Sequence, residues 1–157
     1  MATTEARELI QKLSSGSLFF VVAESCTAGL VADLLAQVPG ASRVFWGSFV
    51  CYTPDAKQRM LGVDGELILK HGAVSRETVC AMAEGALARS GADVAAAVTG
   101  LAGPDGDGSS APVGTVWIGV ALRGGQSRGS LFQYTGSRNE VRLAAARETL
   151  RETAKLL

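Results

Sequence analysis

Ser25 lies in the stretch Leu18 to Gly29, LFFVVAESCTAG, at the point where an apolar run gives way to helical spacing. Leu18-Phe19-Phe20-Val21-Val22 reads as a short strand buried on both faces. Leu30, Leu34, Leu35 and Val38 then recur as one face of a helix. A small nucleophile where a strand turns into a helix sits at the carboxyl edge of an α/β sheet, where ligands bind. Free backbone N–H groups at a helix start favour developing negative charge. The position follows the logic of a nucleophile elbow without its G-x-S-x-G spelling. A helix cap by Ser25 or Thr27 accounts for the same residue types, and this stretch alone leaves both readings open.

Two further strand ends carry candidate chemistry. Val44 to Tyr52, VFWGSFVCY, is rich in β-branched and aromatic residues and reads as a strand, with Lys57 five positions beyond Tyr52. A lysine acts as a base near neutral pH only if its pKa falls from about 10.4 toward 7 or 8, a shift of roughly 4 kcal/mol. Burial in a closed pocket supplies such a shift, whereas a lysine on a surface helix is a solvated charge. The third strand, Val94 to Val98, ends at Thr99 and opens a long loop from Gly100 to Gly114, with glycines at 100, 103, 106 and 108. Such a loop can offer N–H groups to a phosphate or an oxyanion, or serve as a plain connection; the Walker spacing is missing. Strand ends on one edge of a sheet converge, so the three loops can form one pocket.

Arg138 and Arg142 stand one turn apart at the start of the last helix. Cations there oppose the helix dipole unless an anion is near, which points to a carboxylate or phosphate ligand; surface ion pairs are the alternative. Cys26 is the rival nucleophile, since a helix amino end lowers a thiol pKa. His71, the one histidine, follows an uncertain turn and reads as structural or solvent-facing.

The elements that must position these residues follow from punctuation and periodicity. A helix is expected over Glu5 to Leu13, then the Ser25 strand and its helix, closed by Pro39-Gly40. The Val44 strand is followed by a helix opened by Thr53-Pro54-Asp55 and ended by Gly62. Glu66 to Lys70 reads as one helical turn. Ser75 caps a helix over Arg76 to Ser90 that ends at Gly91. Thr115 to Leu122 and Ser130 to Tyr134 read as a β-hairpin around Arg123-Gly124-Gly125. Ser137-Arg138-Asn139-Glu140 is a capping box that opens the final helix. The order spells a three-layer α/β/α sandwich with a mixed sheet, in one domain over residues 1–157.

Fifteen basic residues balance fifteen acidic ones, so no basic excess drives nucleic-acid binding. No apolar run spans a membrane and the polar start of the chain is not signal-like, so a soluble, cytoplasmic protein is expected. Three cysteines without a C-x-x-C and a single histidine argue against a disulfide framework and a zinc site. No metal and no cofactor are expected, and a homo-oligomer is.

Read together, the segments resemble the CinA C-terminal domain family, whose active members are nicotinamide-nucleotide amidases. The resemblance rests on Ala23-Glu24-Ser25-Cys26-Thr27-Ala28-Gly29, on Tyr52 with Lys57 and then Leu61-Gly62-Val63, and on Gly72-Ala73-Val74-Ser75. It continues through Met82-Ala83-Glu84-Gly85-Ala86, Thr99-Gly100-Leu101-Ala102-Gly103-Pro104 and Pro112-Val113-Gly114-Thr115-Val116. It implies a metal-independent hydrolysis of the carboxamide of nicotinamide mononucleotide to nicotinate mononucleotide and ammonia. It further implies Ser25 as nucleophile, Lys57 as its base and Tyr52 assisting. Thr27, Thr99, Gly100, Gly103, Arg138 and Arg142 would contact the substrate. The sequence departs from the family pattern at Ala28, at Thr53-Pro54 and at Ala111. A fold-retaining protein that binds a nucleotide without turning it over is therefore the competing reading.

Overall fold

The computed structural model describes residues 1–157. The chain runs through α1 (Thr4–Gly16), β1 (Phe20–Glu24), α2 (Leu30–Ala36), β2 (Phe45–Val50), α3 (Pro54–Leu61) and α4 (Gly65–His71). Then come α5 (Arg76–Ser90), β3 (Val94–Gly100), β4 (Thr115–Leu122), β5 (Arg128–Gln133) and α6 (Arg138–Lys155). The five strands lie in the order β2-β1-β3-β4-β5. β1 pairs in parallel with both β2 and β3, and the β3–β4 and β4–β5 pairs are antiparallel. The mixed α/β sandwich expected from the sequence is the observed fold.

Side-chain alternation along β1 decides what faces what. Phe20 and Val22 join one core with α1, α2 and α6, including Leu9, Leu35 and Leu150. Val21 and Ala23 join the other, with α3, α4 and α5, including Leu61, Ile68 and Met82. Helices therefore cover both faces, and β1, flanked by parallel neighbours, is buried throughout. The same period of two turns Glu24 toward α2 and Ser25 toward the α3 face.

The strand begins two residues later than its apolar run. Ser17 takes a left-handed conformation (φ 52°) that ends α1, and the Leu18 N–H donates to the Leu13 carbonyl at 2.9 Å. Leu18 and Phe19 are thus spent on a helix exit before the ladder starts, and Phe19 stays exposed. The expected single turn over Glu66 to Lys70 is a full helix, because Asp64 caps the Glu66 N–H at 3.0 Å. β5 starts at Arg128 rather than Ser130, with Arg128 paired to Val120. The Thr53 cap, the Ser75 cap and the Ser137–Glu140 capping box all form.

The placement of α3, and so of Lys57, depends on one glycine in α5. A Cβ built on Gly85 would lie 2.2 Å from the Leu61 carbonyl oxygen and 3.0 Å from Leu61 Cβ. Gly85→Ala must push α3 off α5, and overpacking of this kind costs about 1–3 kcal/mol. A lower melting temperature is the expected result, and an unchanged melt would contradict the tight α3–α5 contact.

Candidate active site

Ser25 follows directly on β1, and its N–H still bonds to the Val98 carbonyl of β3 at 3.0 Å. Residues 26–29 form turns before α2 begins at Leu30, so Ser25 is not in the first turn of the helix. Lys57 comes from α3, whose start is fixed by the Thr53 cap and by Pro54 at its first position. The two meet. Lys57 Nζ lies 2.8 Å from Ser25 Oγ, 3.2 Å from the Cys51 carbonyl and 3.4 Å from the Tyr52 carbonyl.

Lys57 is 1% exposed, and burial lowers its pKa from the usual lysine value. No carboxylate pairs with it to restore the charge. Lys57 Nζ donates to Ser25 Oγ and to the two carbonyls, and the Ser25 hydroxyl donates to the Tyr52 carbonyl. Once it has lost a proton, the same amine keeps two N–H bonds for the carbonyls and turns a lone pair to the Ser25 hydroxyl. A desolvated lysine in this arrangement is a base for a hydroxyl beside it.

Cys26 also lines the cavity beside Ser25. Burial pushes its thiol up to about 11, so it holds its proton at neutral pH. Cys51 is likewise pushed up to about 11 by burial. His71 is exposed, with Nδ1 3.7 Å from Glu77, and takes no part in the pocket wall.

Ser25 and Lys57 open into a cavity of about 270 Å³. Tyr52, Thr99, Gly100, Gly103 and Arg138 also line it, so the three strand-end loops do converge. Thr99 donates its hydroxyl proton to the Ala73 carbonyl at 2.9 Å, tying β3 to the loop before α5 and leaving the oxygen free to accept. Gly100 is glycine because β4 demands it: a Cβ there would lie 2.9 Å from the Thr115 carbonyl oxygen. Arg138 donates to the Gly103 carbonyl and, at 2.8 Å, to the Tyr52 hydroxyl. The Tyr52 phenol therefore sits at the pocket rim; only the Tyr52 carbonyl reaches Ser25, at 3.3 Å from Oγ.

Three expectations need correction. Thr27 is fully buried and donates its hydroxyl proton to Glu24 at 2.7 Å, outside the pocket wall. Arg142 is also outside it, donating to the Cys26 and Thr27 carbonyls at 2.9 Å each. The oxygens that offset its unfavourable place near the start of α6 thus belong to the protein. Nor are the N–H groups at the start of α2 free for an anion at Ser25. Glu24 accepts from the N–H of Gly29, Val31 and Ala32, all at 3.0 Å.

Glu24 is the residue that the sequence reading missed, along with Asp105 and Asp107 on the pocket rim. The Ser109 hydroxyl and N–H, both donating to Asp107, hold its carboxyl below the usual range. No local signal marks Glu24: two of the N–H groups it accepts from lie seven and eight positions further along the chain.

Fold and site together define an α/β sandwich with a buried serine–lysine pair at the carboxyl ends of adjacent strands. The family model of the CinA C-terminal domain matches residues 2–157. The chain belongs to the CinA C-terminal domain family. Among its relatives, "Nicotinamide-nucleotide amidohydrolase PncC" of Enterobacter agglomerans is 42% identical over 139 residues, covering 88% of this chain and 85% of that protein. A "CinA-like protein" of Akkermansia muciniphila is 46% identical over 144 residues, covering 92% of this chain but 35% of the relative. This chain thus spans about a third of the length of such longer relatives. The crystal structure of "competence/damage inducible protein CihA" from Agrobacterium tumefaciens superposes with a TM-score of 0.94 at 41% identity, covering 99% of this chain and 98% of that one. No helix here is long and apolar enough to cross a membrane.

Proposed function

We propose that the chain is a nicotinamide-nucleotide amidohydrolase that uses Ser25 as nucleophile and Lys57 as general base. The observation that carries this reading is the 2.8 Å contact between Ser25 Oγ and a lysine amine that is buried without a carboxylate partner. The relative named for that activity, matched over most of both chains, supports the substrate class.

The chemistry runs in two halves. Lys57 takes the Ser25 proton as Oγ attacks the carboxamide carbon, giving a tetrahedral oxyanion and an ammonium. The ammonium then returns that proton to the departing nitrogen, so ammonia leaves and an ester to Ser25 remains. Water attacks the ester, Lys57 takes its proton and then gives it to the Ser25 oxygen, and the carboxylic acid is released. The Cys26 N–H has no partner within the chain, and Cys26 lines the cavity, so this N–H is the first candidate donor to the oxyanion. Thr99, the Gly100 to Gly103 backbone and Arg138, bridged to Tyr52, would hold the rest of the substrate. Arg138 spends two N–H bonds on the protein and keeps its others for a ligand.

The purified protein is expected to release ammonia from nicotinamide mononucleotide, and a chelator should not slow it, because nucleophile and base are both side chains. An ammonia-release assay with and without chelator tests this. Binding of the nucleotide without turnover would favour the competing reading, a protein that retains the fold and the pocket but not the chemistry.

A further inference from the structure

The turn that carries Ser25 is gripped from two sides by opposite charges, neither of which touches the nucleophile. On one side the fully buried Glu24 carboxylate accepts from the hydroxyls of Thr27 and Ser48 and from the N–H groups of Gly29, Val31 and Ala32. On the other side Arg142, reaching from α6, spreads its fork over two carbonyls. Nε donates to that of Cys26 and Nη2 to that of Thr27, both at 2.9 Å, while Nη1 donates to Asn139 at 3.2 Å.

A planar trans peptide sets its N–H opposite its carbonyl. The Ser25 carbonyl accepts from the Ala28 N–H at 3.1 Å, so the Cys26 N–H of that peptide is turned the other way, with no partner in the chain. The following peptide is fixed by Arg142 through the Cys26 carbonyl. With both peptides around Cys26 pinned, the direction of its N–H is set.

The geometry points to Arg142 as a positioning residue, whose fork on the Cys26 and Thr27 carbonyls holds the Cys26 N–H where the oxyanion forms at Ser25. This rests on Ser25 being the nucleophile, as proposed above, but not on which carboxamide it attacks. A lysine cannot reproduce the contact, since a planar fork meets two carbonyls at once and an ammonium is a point charge.

Removing an oxyanion donor outright costs about 10²–10³ in kcat, and releasing one from its fixed direction should cost less, about 30-fold. Arg142→Ala is expected to lower kcat by that amount with KM nearly unchanged, because the oxyanion exists only on the way to the transition state. The pH at which activity half-rises should not move, since Lys57 is untouched. Millimolar guanidinium, far below denaturing concentrations, should restore most of the loss; a merely structural defect would not respond to it. Arg142→Lys, which keeps the charge and is the milder change for folding, should lose about tenfold.

A fluorophosphonate provides an arm that does not depend on the substrate. Ser25 Oγ bonds to phosphorus, fluoride leaves, Lys57 receives the hydroxyl proton, and the phosphoryl oxygen takes the oxyanion's place. Labelling of Ser25, read by mass spectrometry, should slow in the two variants in step with kcat. Labelling within twofold of wild type in both variants overturns the positioning role. A raised KM at unchanged kcat overturns it as well and makes Arg142 a substrate ligand. Wild-type protein that is labelled at Ser25 yet releases no ammonia overturns the nucleotide reading alone, and the labelling ratios still decide the role of Arg142. Wild-type protein that is not labelled at Ser25 overturns both.

Discussion

Ser25→Ala is expected to abolish turnover, with a loss of at least about 10⁴-fold in kcat, as for removal of the nucleophile in other serine hydrolases. The size follows from the mechanism: with no oxygen to form the ester, only positioning and electrostatic stabilisation remain. The fold should survive. Ser25 Oγ makes one short contact, to Lys57, and one long one, to the Tyr52 carbonyl, and the Lys57 amine keeps both of its carbonyl acceptors when Oγ is gone. Steady-state kinetics with a melting curve on the same sample checks this. Retained activity would remove Ser25 from the chemistry, and the thiol of Cys26, pushed up to about 11 by burial, could not easily replace it.

Lys57→Met should lose about 10²–10⁴-fold, the range that a positioned general base supplies. The more telling change is in the pH profile. Burial disfavours the charged amine, so the Lys57 pKa lies below its ordinary value and the neutral base becomes available as pH rises through that lowered pKa. Wild-type kcat/KM should therefore climb with pH through that window, and the residual activity of Lys57→Met should lack the climb. Stability follows the same sign. Between the lowered folded pKa and the ordinary unfolded one, the unfolded chain holds more protons, so folding gains from Lys57 as pH rises there. A variant that kept the wild-type climb would show that another group takes the Ser25 proton.

Much of this site could be read from residue order. Strand ends share an edge of an α/β sheet, and that alone brings Ser25, Tyr52, Lys57 and Thr99 to one cavity. Capping residues placed α3, α5 and α6 to within a residue or two, because Thr53, Ser75 and Ser137 make the bonds their types predict. What failed was the assignment of partners across long separations. The place of Arg142 near a helix start points to an anionic ligand or to surface ion pairs; its real partners are carbonyls up to 116 residues away in sequence. Thr27 was read as facing the substrate, but the parity of β1 turns Glu24 toward α2 and draws the Thr27 hydroxyl with it. Glu24 itself was invisible as a structural anchor. Nothing local shows that a carboxylate closing an apolar strand will absorb the free N–H groups of the next helix.

In the proposed mechanism, that absorption leaves the oxyanion to be held elsewhere. An empty helix start would have served as a general anion site; here the carboxylate fills it. The proposed chemistry is left to one turn, gripped by Glu24 and Arg142, and to an amine whose pKa burial lowers.

The most direct test is the titration of the Lys57 amine itself, followed by nuclear magnetic resonance of the isotope-labelled lysine side chain. Its midpoint should fall below the ordinary lysine value, and kcat/KM for ammonia release should rise with pH through the same midpoint. A side chain that titrates at the ordinary value of about 10.4, or a rate that ignores its midpoint, would contradict the Ser25–Lys57 account.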